Sequence, residues 1–395
     1  MHIALVHFYS STPTPVYQEV ASALRAREHT VWVGTPNEAG DLAWHDGKRT
    51  VGVQRGPARL PDPLLRVLLV ASVLRRVVSF GFMLRVRRFV RRARPDIVQV
   101  NPTLGAWVLP LLMPRQICFI LDIRQSGAAE STDLIGKLRD WRAIRTWRIW
   151  SRFIYHHACF CHVAAVGRTL GKGWPRWGSV VPLAVDQRFL TLCPKDSTSG
   201  SHENLVQFIY VGTLSKVRRL EQILFAVQRI LHQTNEFQVA LLGPDEAQGF
   251  YHDLVNELKL NSVITIKSPV RYENVPEVVS SYDVALAYVP DVPAWRYQPT
   301  LKVLEYRALG MAMIATDIEA SHEVVEDGVN GLLVQNSVES LAEGMLCFVN
   351  DRDFLKRCKA NARMMRRGIT WSEVAKMYEQ EIYLSCQVRH RFRVR

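Results

Sequence analysis

The chain has 395 residues, of which 48% are hydrophobic and 22% charged. That balance excludes a disordered chain, and the length favours two domains over a single core. The formal net charge is +13, and all of the excess lies early: residues 1–186 carry 26 Lys+Arg against 12 Asp+Glu, and the remainder 24 against 25.

The opening MHIALVHFYS lacks a basic n-region and a small-residue cleavage site, so it reads as a buried first strand and not as a signal peptide. PVYQEVASALRAREH follows with Val16, Val20, Ala23 and Leu24 at helical spacing, and TVWVGTP is a second strand. No run of about 18 or more apolar residues is present, which argues against a spanning helix. DIVQVNP (96–102) and QICFILDIR (116–124) are further apolar runs ending in polar residues. Strands alternating with helices imply parallel βαβ units, whose ligands sit beyond the carboxyl ends of the strands. Tyr9–Thr14, Asn101, Asp122 and Arg124 lie at such ends. His156, His157, Cys159, Cys161 and His162 form a His/Cys group, but Cys-Phe-Cys-His spacing suits a strand better than convergence on one metal ion. The seven cysteines are scattered, which fits reduced thiols in the cytosol.

VVPLAVDQRFL (180–190) closes the first half, and CPKDSTSGSHEN (193–204) reads as a linker. A second strand series begins at LVQFIYVGTLS. Leu220, Ile223, Leu224, Val227 and Ile230 then make one helical stripe, and FQVALLGPD, SVITIKSPV, DVALAYVP and MAMIATD continue the alternation. The expected fold class is α/β, with two doubly wound, Rossmann-like domains facing a central cleft. The expected boundaries are 1–190 for the N-terminal domain, 191–204 for the linker, 205–375 for the C-terminal domain and 376–395 for a C-terminal helix and basic tail.

Two stretches of the second half suit an anion. In YVGTLSKVRRLE (210–221) a strand ends at Gly212, and Arg218 and Arg219 are placed to open a helix. Glycine admits a close backbone approach, and paired guanidiniums suit a pyrophosphate. Arginine at a helix start is unfavourable for the helix itself, so a plain surface role explains it poorly. In YQPTLKVLEYRALG (297–310) the free amides of Thr300, Leu301 and Lys302 would donate to an anion at a helix start. Glu305, on the same face as Leu301, could accept from two vicinal hydroxyls. A bland Lys302–Glu305 surface pair is the alternative.

With GMAMIATDIEASHEVVEDGVNGLLV added, the three stretches in this order resemble the C-terminal domain of glycosyltransferase family 4, retaining enzymes with the GT-B fold. Gly212, Leu214 and Arg218 stand for the phosphate loop; LEYRALGMAMIATD and EVVEDGVNGLLV stand for the second and third motifs. The likeness covers about residues 180–385, including TWSEVAKMYEQEIY, and is only general over the first half. It implies retaining transfer of a sugar from a nucleotide-sugar substrate, UDP- or GDP-linked, with no metal and no further cofactor. It also implies a donor site built from Gly212, Thr213, Arg218, Arg219, Thr300, Leu301, Lys302 and Glu305. In that scheme Arg218 or Arg219, Lys302 and helix amides stabilise charge on the leaving phosphate. Glu305 holds the ribose, and backbone around Pro269–Arg271 meets the base. Departures are plain as well. Tyr297 stands where the family has the first Glu of its E-x₇-E pair, Thr213 where it often has Arg, and Arg219 where it usually has Gly. YSSTPTP replaces the glycine-rich loop after the first strand. The mid-domain His has no counterpart, and Asp122 is the nearest candidate for a catalytic role toward the acceptor.

Residues 60–95 hold nine arginines and one acid among many Leu, Val and Phe, and Trp141, Trp147 and Trp150 lie between arginines in 137–157. Aromatic and basic residues on an apolar helix suit an anionic membrane surface, and hence a lipid-linked or glycan acceptor at the inner face of the cell membrane. Two rival functions share the fold: a nucleotide-sugar 2-epimerase, and a non-catalytic sugar-nucleotide-binding partner subunit. A nucleic-acid partner rests on charge alone, with no helix-turn-helix, zinc ligand set or stacking platform to support it.

Overall fold

A computed structural model of the chain describes residues 1–6, 15–36, 42–54, 68–101, 109–114, 117–124, 145, 149, 159–162, 178–192 and 205–388. Among these, one compact unit takes the residues up to 182 and from 371 onward, and a second takes 183–370. The division falls at Pro182, earlier than the expected 190. Val185 and Phe189 lie in the core of the second unit, where they pack with Val303 and Leu304. The expected linker 193–204, Tyr9–Thr14, the tryptophans at 141, 147 and 150, and His156–His157 lie outside the described residues.

The first unit is built on an eight-stranded sheet. Its strands are β1 (His2–Val6), β2 (Thr30–Pro36), β3 (Leu42–His45), β4 (Thr50–Gln54), β5 (Ile97–Val100), β6 (Cys118–Ile123), β7 (Cys159–His162) and β8 (Ser179–Val180), in the order β4-β3-β2-β1-β5-β6-β7-β8. The apolar runs of β1, β5 and β6 are buried at nearly every position, which is the signature of strands covered on both faces. The helix Pro15–Ala26 buries Tyr17, Val20, Ala21 and Leu24, a stripe of period 3.6. β3 and β4 run antiparallel to their neighbours, a hairpin the alternation of the sequence did not announce. Its turn is closed by Asp46, whose Oδ1 accepts from the amides of Lys48 and Arg49, with Gly47 at φ +99°. No helix among the described residues is long and apolar enough to cross a membrane.

The second unit carries six strands, all parallel: β9 (Val206–Val211), β10 (Phe237–Leu242), β11 (Ile264–Lys267), β12 (Val284–Ala287), β13 (Ala312–Thr316) and β14 (Gly331–Val334), in the order β11-β10-β9-β12-β13-β14. Successive side chains of one strand serve opposite cores. Phe208, Tyr210, Val239 and Leu241 join the core that holds Leu220, Ile223, Leu224, Val227 and Ile230, while Ile209, Ala240 and Leu242 join the core of the helix Leu301–Leu309. Helices thus cover both faces, the doubly wound arrangement. The strand order reverses direction between β9 and β12, and ligands of such sheets bind at that switch point. The third motif is a structural turn. The Asn330 side chain accepts from the Glu326 amide and donates to the Val324 carbonyl, and Asp327 accepts from Leu333.

The C-terminal segment, the helix Trp371–Met377 continued by the π-helical turn Tyr378–Tyr383, belongs to the first unit and packs on the helix Pro15–Ala26. Its tyrosines close a polar cluster over β5 and β6. The Tyr378 hydroxyl donates to Asp122 Oδ2 at 2.7 Å, and Tyr383 donates to Gln99 Oε1 at 2.6 Å.

Candidate active site

Gly212 ends β9 at the switch point. Its φ is +148°, and a Cβ added to Gly243, at the end of β10, would lie 2.1 Å from the Gly212 carbonyl oxygen. The two backbones touch, so residue 243 admits no side chain. Beyond them the loop is pinned by the Leu214 amide on the Pro244 carbonyl (2.9 Å) and the Glu246 amide on the Leu214 carbonyl (3.0 Å). Tyr251 adds a third tie: its hydroxyl accepts from the Leu220 amide and donates to the Ser215 carbonyl.

Arg218 and Arg219 do not open the following helix. They close a 3-10 turn, Lys216–Arg218, with Arg219 left-handed at φ +50°; the α-helix begins at Glu221. The macrodipole explains the shift, since an acid suits the first helical turn and a cation does not. The left-handed backbone at 219 also accounts for the glycine expected there, because a side chain in that region is strained. The two arginines diverge. Arg218 places its guanidinium 4.6 Å over the Trp295 ring and bears electrostatically on Tyr210 and Lys302, whereas the charge of Arg219 reaches Tyr288. Arg219→Gly is therefore expected to leave the melting temperature unchanged or slightly raised and nucleoside diphosphate affinity within about threefold. Arg218→Ala is expected to lose roughly tenfold or more. Calorimetric titration of both variants checks this, and equal losses would remove the distinction.

The helix Leu301–Leu309 brings the second stretch to the same place. Thr300 is its N-cap residue, but its side chain makes no capping bond; its Oγ1 is buried without a partner. Lys302 is 8% exposed, with Nζ 3.7 Å from the Tyr210 ring centre and 3.6 Å from where a Cβ on Gly212 would stand. Among the described residues, Lys302 Nζ, Arg218 Nη1, Thr300 Oγ1 and the Tyr210 hydroxyl are all buried and lack a hydrogen-bond partner. Such groups are rare in a folded protein and call for an explanation. Burial drives the Lys302 ammonium well below its ordinary range; Arg218 adds to this and Glu305 opposes it. Three cation or hydroxyl donors and one aromatic hydroxyl left open around a glycine make a receptor for an anion of two or more oxygens.

Glu305 lies one turn on, 7% exposed, and its Oε1 accepts from the Tyr272 hydroxyl at 2.7 Å. Burial pushes its carboxyl up to about 7, the Tyr272 bond holds it down, Asp186 raises it and Lys302 lowers it. Gly212, Arg218, Lys302 and, one turn away, Glu305 thus gather near the end of β9, with Thr213 beside Gly212 and Thr300 and Leu301 before Lys302 in the chain. Tyr210, Tyr272 and Trp295 complete the constellation and carried no signal in the sequence, apart from the place of Tyr210 two residues before Gly212. Tyr297 ends the short helix Pro293–Arg296, which is tied by Arg296 to Asp291.

Asp122 is not in this group, and it is not an open carboxylate. It is 1% exposed in the first unit, where it accepts from Gln99 Nε2 (2.8 Å), Arg124 Nε (2.9 Å) and Tyr378, with the Cys161 thiol at 3.5 Å. Arg124 also donates to the Tyr378 hydroxyl. Burial works against the charge of Arg124, and Asp122, helped by Tyr378, Cys161 and Tyr17, more than restores it. In the first unit Asp122 thus ties together Gln99, Arg124 and Tyr378. Among the described residues no group of three His, Cys, Asp or Glu side chains could hold a metal ion.

The D-inositol 3-phosphate glycosyltransferase of Nocardia farcinica is 23% identical over 174 residues, covering 42% of this chain and 38% of that protein. The chain spans 37–45% of the length of the curated relatives it matches. Among solved structures, sucrose-phosphate synthase from Thermosynechococcus elongatus superposes with a TM-score of 0.72 over 100% of both chains at 18% identity. Anabaena HepE in complex with UDP superposes with 0.66 over 96% of this chain and 98% of that one at 13% identity. The fold is the GT-B fold of two Rossmann-like units, and residues 195–365 match the family model described as glycosyl transferases group 1.

Proposed function

We propose that the chain is a retaining glycosyltransferase. It takes a sugar from a UDP- or GDP-sugar and delivers it to a lipid-linked or polysaccharide acceptor, in the assembly of cell-surface glycans. The observation that carries this reading is a set of four buried polar atoms without a hydrogen-bond partner among the described residues: Lys302 Nζ and the Tyr210 hydroxyl beside Gly212, with Arg218 Nη1 and Thr300 Oγ1. A nucleoside diphosphate would satisfy all of them at once. As the glycosidic bond to the diphosphate breaks, negative charge grows on the leaving oxygen. Lys302 and Arg218, fixed in place and dry, stabilise that charge more than the ground state, an effect worth several kcal/mol. The proposal gives the charge-stabilising role to these two cations and not to a metal. Glu305 would accept from the ribose hydroxyls. UDP in the HepE structure and the sugar-transferring relatives support the donor class.

The basic, aromatic-rich first half supports docking on an anionic leaflet, which places the protein at the inner face of the membrane, beside a lipid-linked acceptor. Tyr297 in the place of the first Glu of the family pair keeps one other reading alive, a partner subunit that binds the donor without transferring it. The test is thermal melting with UDP, GDP, ADP and their sugars, followed by proton NMR of the anomeric product. One nucleotide set is expected to raise the melting temperature by several degrees and its sugar to turn over with retention. Stabilisation without hydrolysis or transfer favours the subunit reading, and no stabilisation by any of them removes the donor site. Sedimentation with anionic vesicles at low salt is expected to carry the protein down, and a supernatant like that with neutral vesicles would remove the membrane arm.

A further inference from the structure

Glu305 has two oxygens, and the protein uses one of them. Tyr272, in the 3-10 turn Tyr272–Asn274 after β11, gives its hydroxyl to Oε1 at 2.7 Å. No other hydrogen bond from the described residues reaches the carboxyl group, and Oε2 is not among the buried unsatisfied atoms. Tyr272 is in turn steadied by the Phe189 ring, 5.9 Å away, on the helix Gln187–Thr191. That helix is anchored from beyond: Arg366 donates to the carbonyls of Phe189, Leu190 and Leu192, and also to Ala308 on the helix that bears Glu305. The tyrosine, its ring support and the carboxylate are therefore braced as one assembly. A carboxylate on a helix has free rotation about its last bonds unless something holds it.

We propose that Tyr272 is a positioning residue: by holding Oε1 it presents Oε2 of an ionised Glu305 to the vicinal hydroxyls of a ribonucleoside diphosphate, and so sets the preference for ribose over deoxyribose. The inference rests on the donor reading above. A phenol hydrogen bond favours the charged carboxylate, because an ionised oxygen accepts more strongly than a neutral one. The groups that face Glu305 are few. Tyr272 comes from its own turn, Asp186 from the start of the helix Gln187–Thr191, where Arg188 pairs with it, and Lys302 from the same helix, with Arg218 beyond Lys302. Of these only Tyr272 touches the carboxyl oxygen directly.

The test is Tyr272→Phe, which keeps the ring and its packing on Phe189. Calorimetric affinities for UDP and 2′-deoxy-UDP (or the GDP pair, if melting selects it) are measured from pH 5.5 to 9 for both proteins. In the wild type, ribonucleotide affinity is expected to gain a step centred near pH 7 as Glu305 ionises. In the variant that step moves upward by about one pH unit, so that affinity at pH 7 falls roughly fivefold to tenfold and is largely regained at pH 9. The ratio of ribose to deoxyribose affinity at pH 7 drops by a similar factor. A purely structural tyrosine would lower affinity evenly, without moving the step or the ratio. If the wild type binds and the variant repeats both its pH profile and its ribose preference, the positioning role is overturned and the donor site stands. If the wild type binds no nucleoside diphosphate, the donor reading fails and takes this inference with it.

Discussion

Lys302→Met is expected to melt higher than the wild-type protein, by roughly 3–8 °C, and to gain nothing from a nucleoside diphosphate. In the free protein an ammonium sits 8% exposed with no hydrogen-bond partner, over the Tyr210 ring and next to Arg218. Leaving such a group unsatisfied costs about 1–3 kcal/mol, and methionine of similar length removes that cost. The sign with pH can be worked out. The folded protein holds the Lys302 proton less tightly than the unfolded chain, whose lysine keeps its ordinary value of 10.5. The penalty is absent above that pH and grows as pH falls through the interval down to the depressed folded value. The advantage of the methionine variant should follow: nil in strong base, full once the pH is below both values. Ligand binding reverses the balance, because a diphosphate repays the ammonium with charge-assisted bonds. The loss in diphosphate affinity should be on the order of a hundredfold. Calorimetric melts across pH, with and without nucleotide, would decide it. A methionine variant that is less stable at neutral pH would mean that the lysine supports the fold and is not held in reserve for an anion.

The second large effect is expected in the other unit. Asp122→Ala removes a carboxylate that contacts the buried Arg124, and breaking a buried ion pair by removing one partner costs about 3–5 kcal/mol. The first unit should unfold roughly 10 °C lower, together with the C-terminal segment whose Tyr378 and Tyr383 complete the cluster. The pair Asp122→Leu with Arg124→Met is expected to recover most of the loss, since both charges then leave together. Nucleoside diphosphate affinity measured well below the melting range should be unchanged in each variant, because Gly212, Lys302 and Glu305 lie in the unit that does not contain Asp122. A normal melting curve with abolished transfer would instead return Asp122 to an acceptor-side role.

Much of the fold was written locally. The apolar runs of β9, β10, β12 and β13 and the stripe Leu220–Ile230 are one-dimensional signals, and their period alone distinguishes strand from helix. The turn chemistry at Asn330 and the glycine at 212 are equally local. What escaped depends on neighbours distant in the chain. Tyr272 meets Glu305 across 33 residues and Arg218 lies under Trp295 across more than twice that span, so neither pairing leaves a mark in any short window. The arginine pair misled for a related reason. Sequence spacing places 218 and 219 together, but a left-handed residue between a 3-10 turn and a helix sends their side chains to different partners. The burial of Asp122 against Arg124 left no mark either, because a polar residue at the end of an apolar strand looks alike whether it faces solvent or a buried arginine. The β3–β4 hairpin escaped as well, since its strands are only four and five residues long.

One small contact has a wide reach. The Val185 amide donates to the Ile369 carbonyl at 2.8 Å, and Val185 bridges Thr370. The two ends of the stretch 183–370, which bears Lys302 and Glu305, thus lie side by side. A stretch whose two ends meet can be transplanted, permuted or replaced as a cassette without cutting any strand of its own sheet.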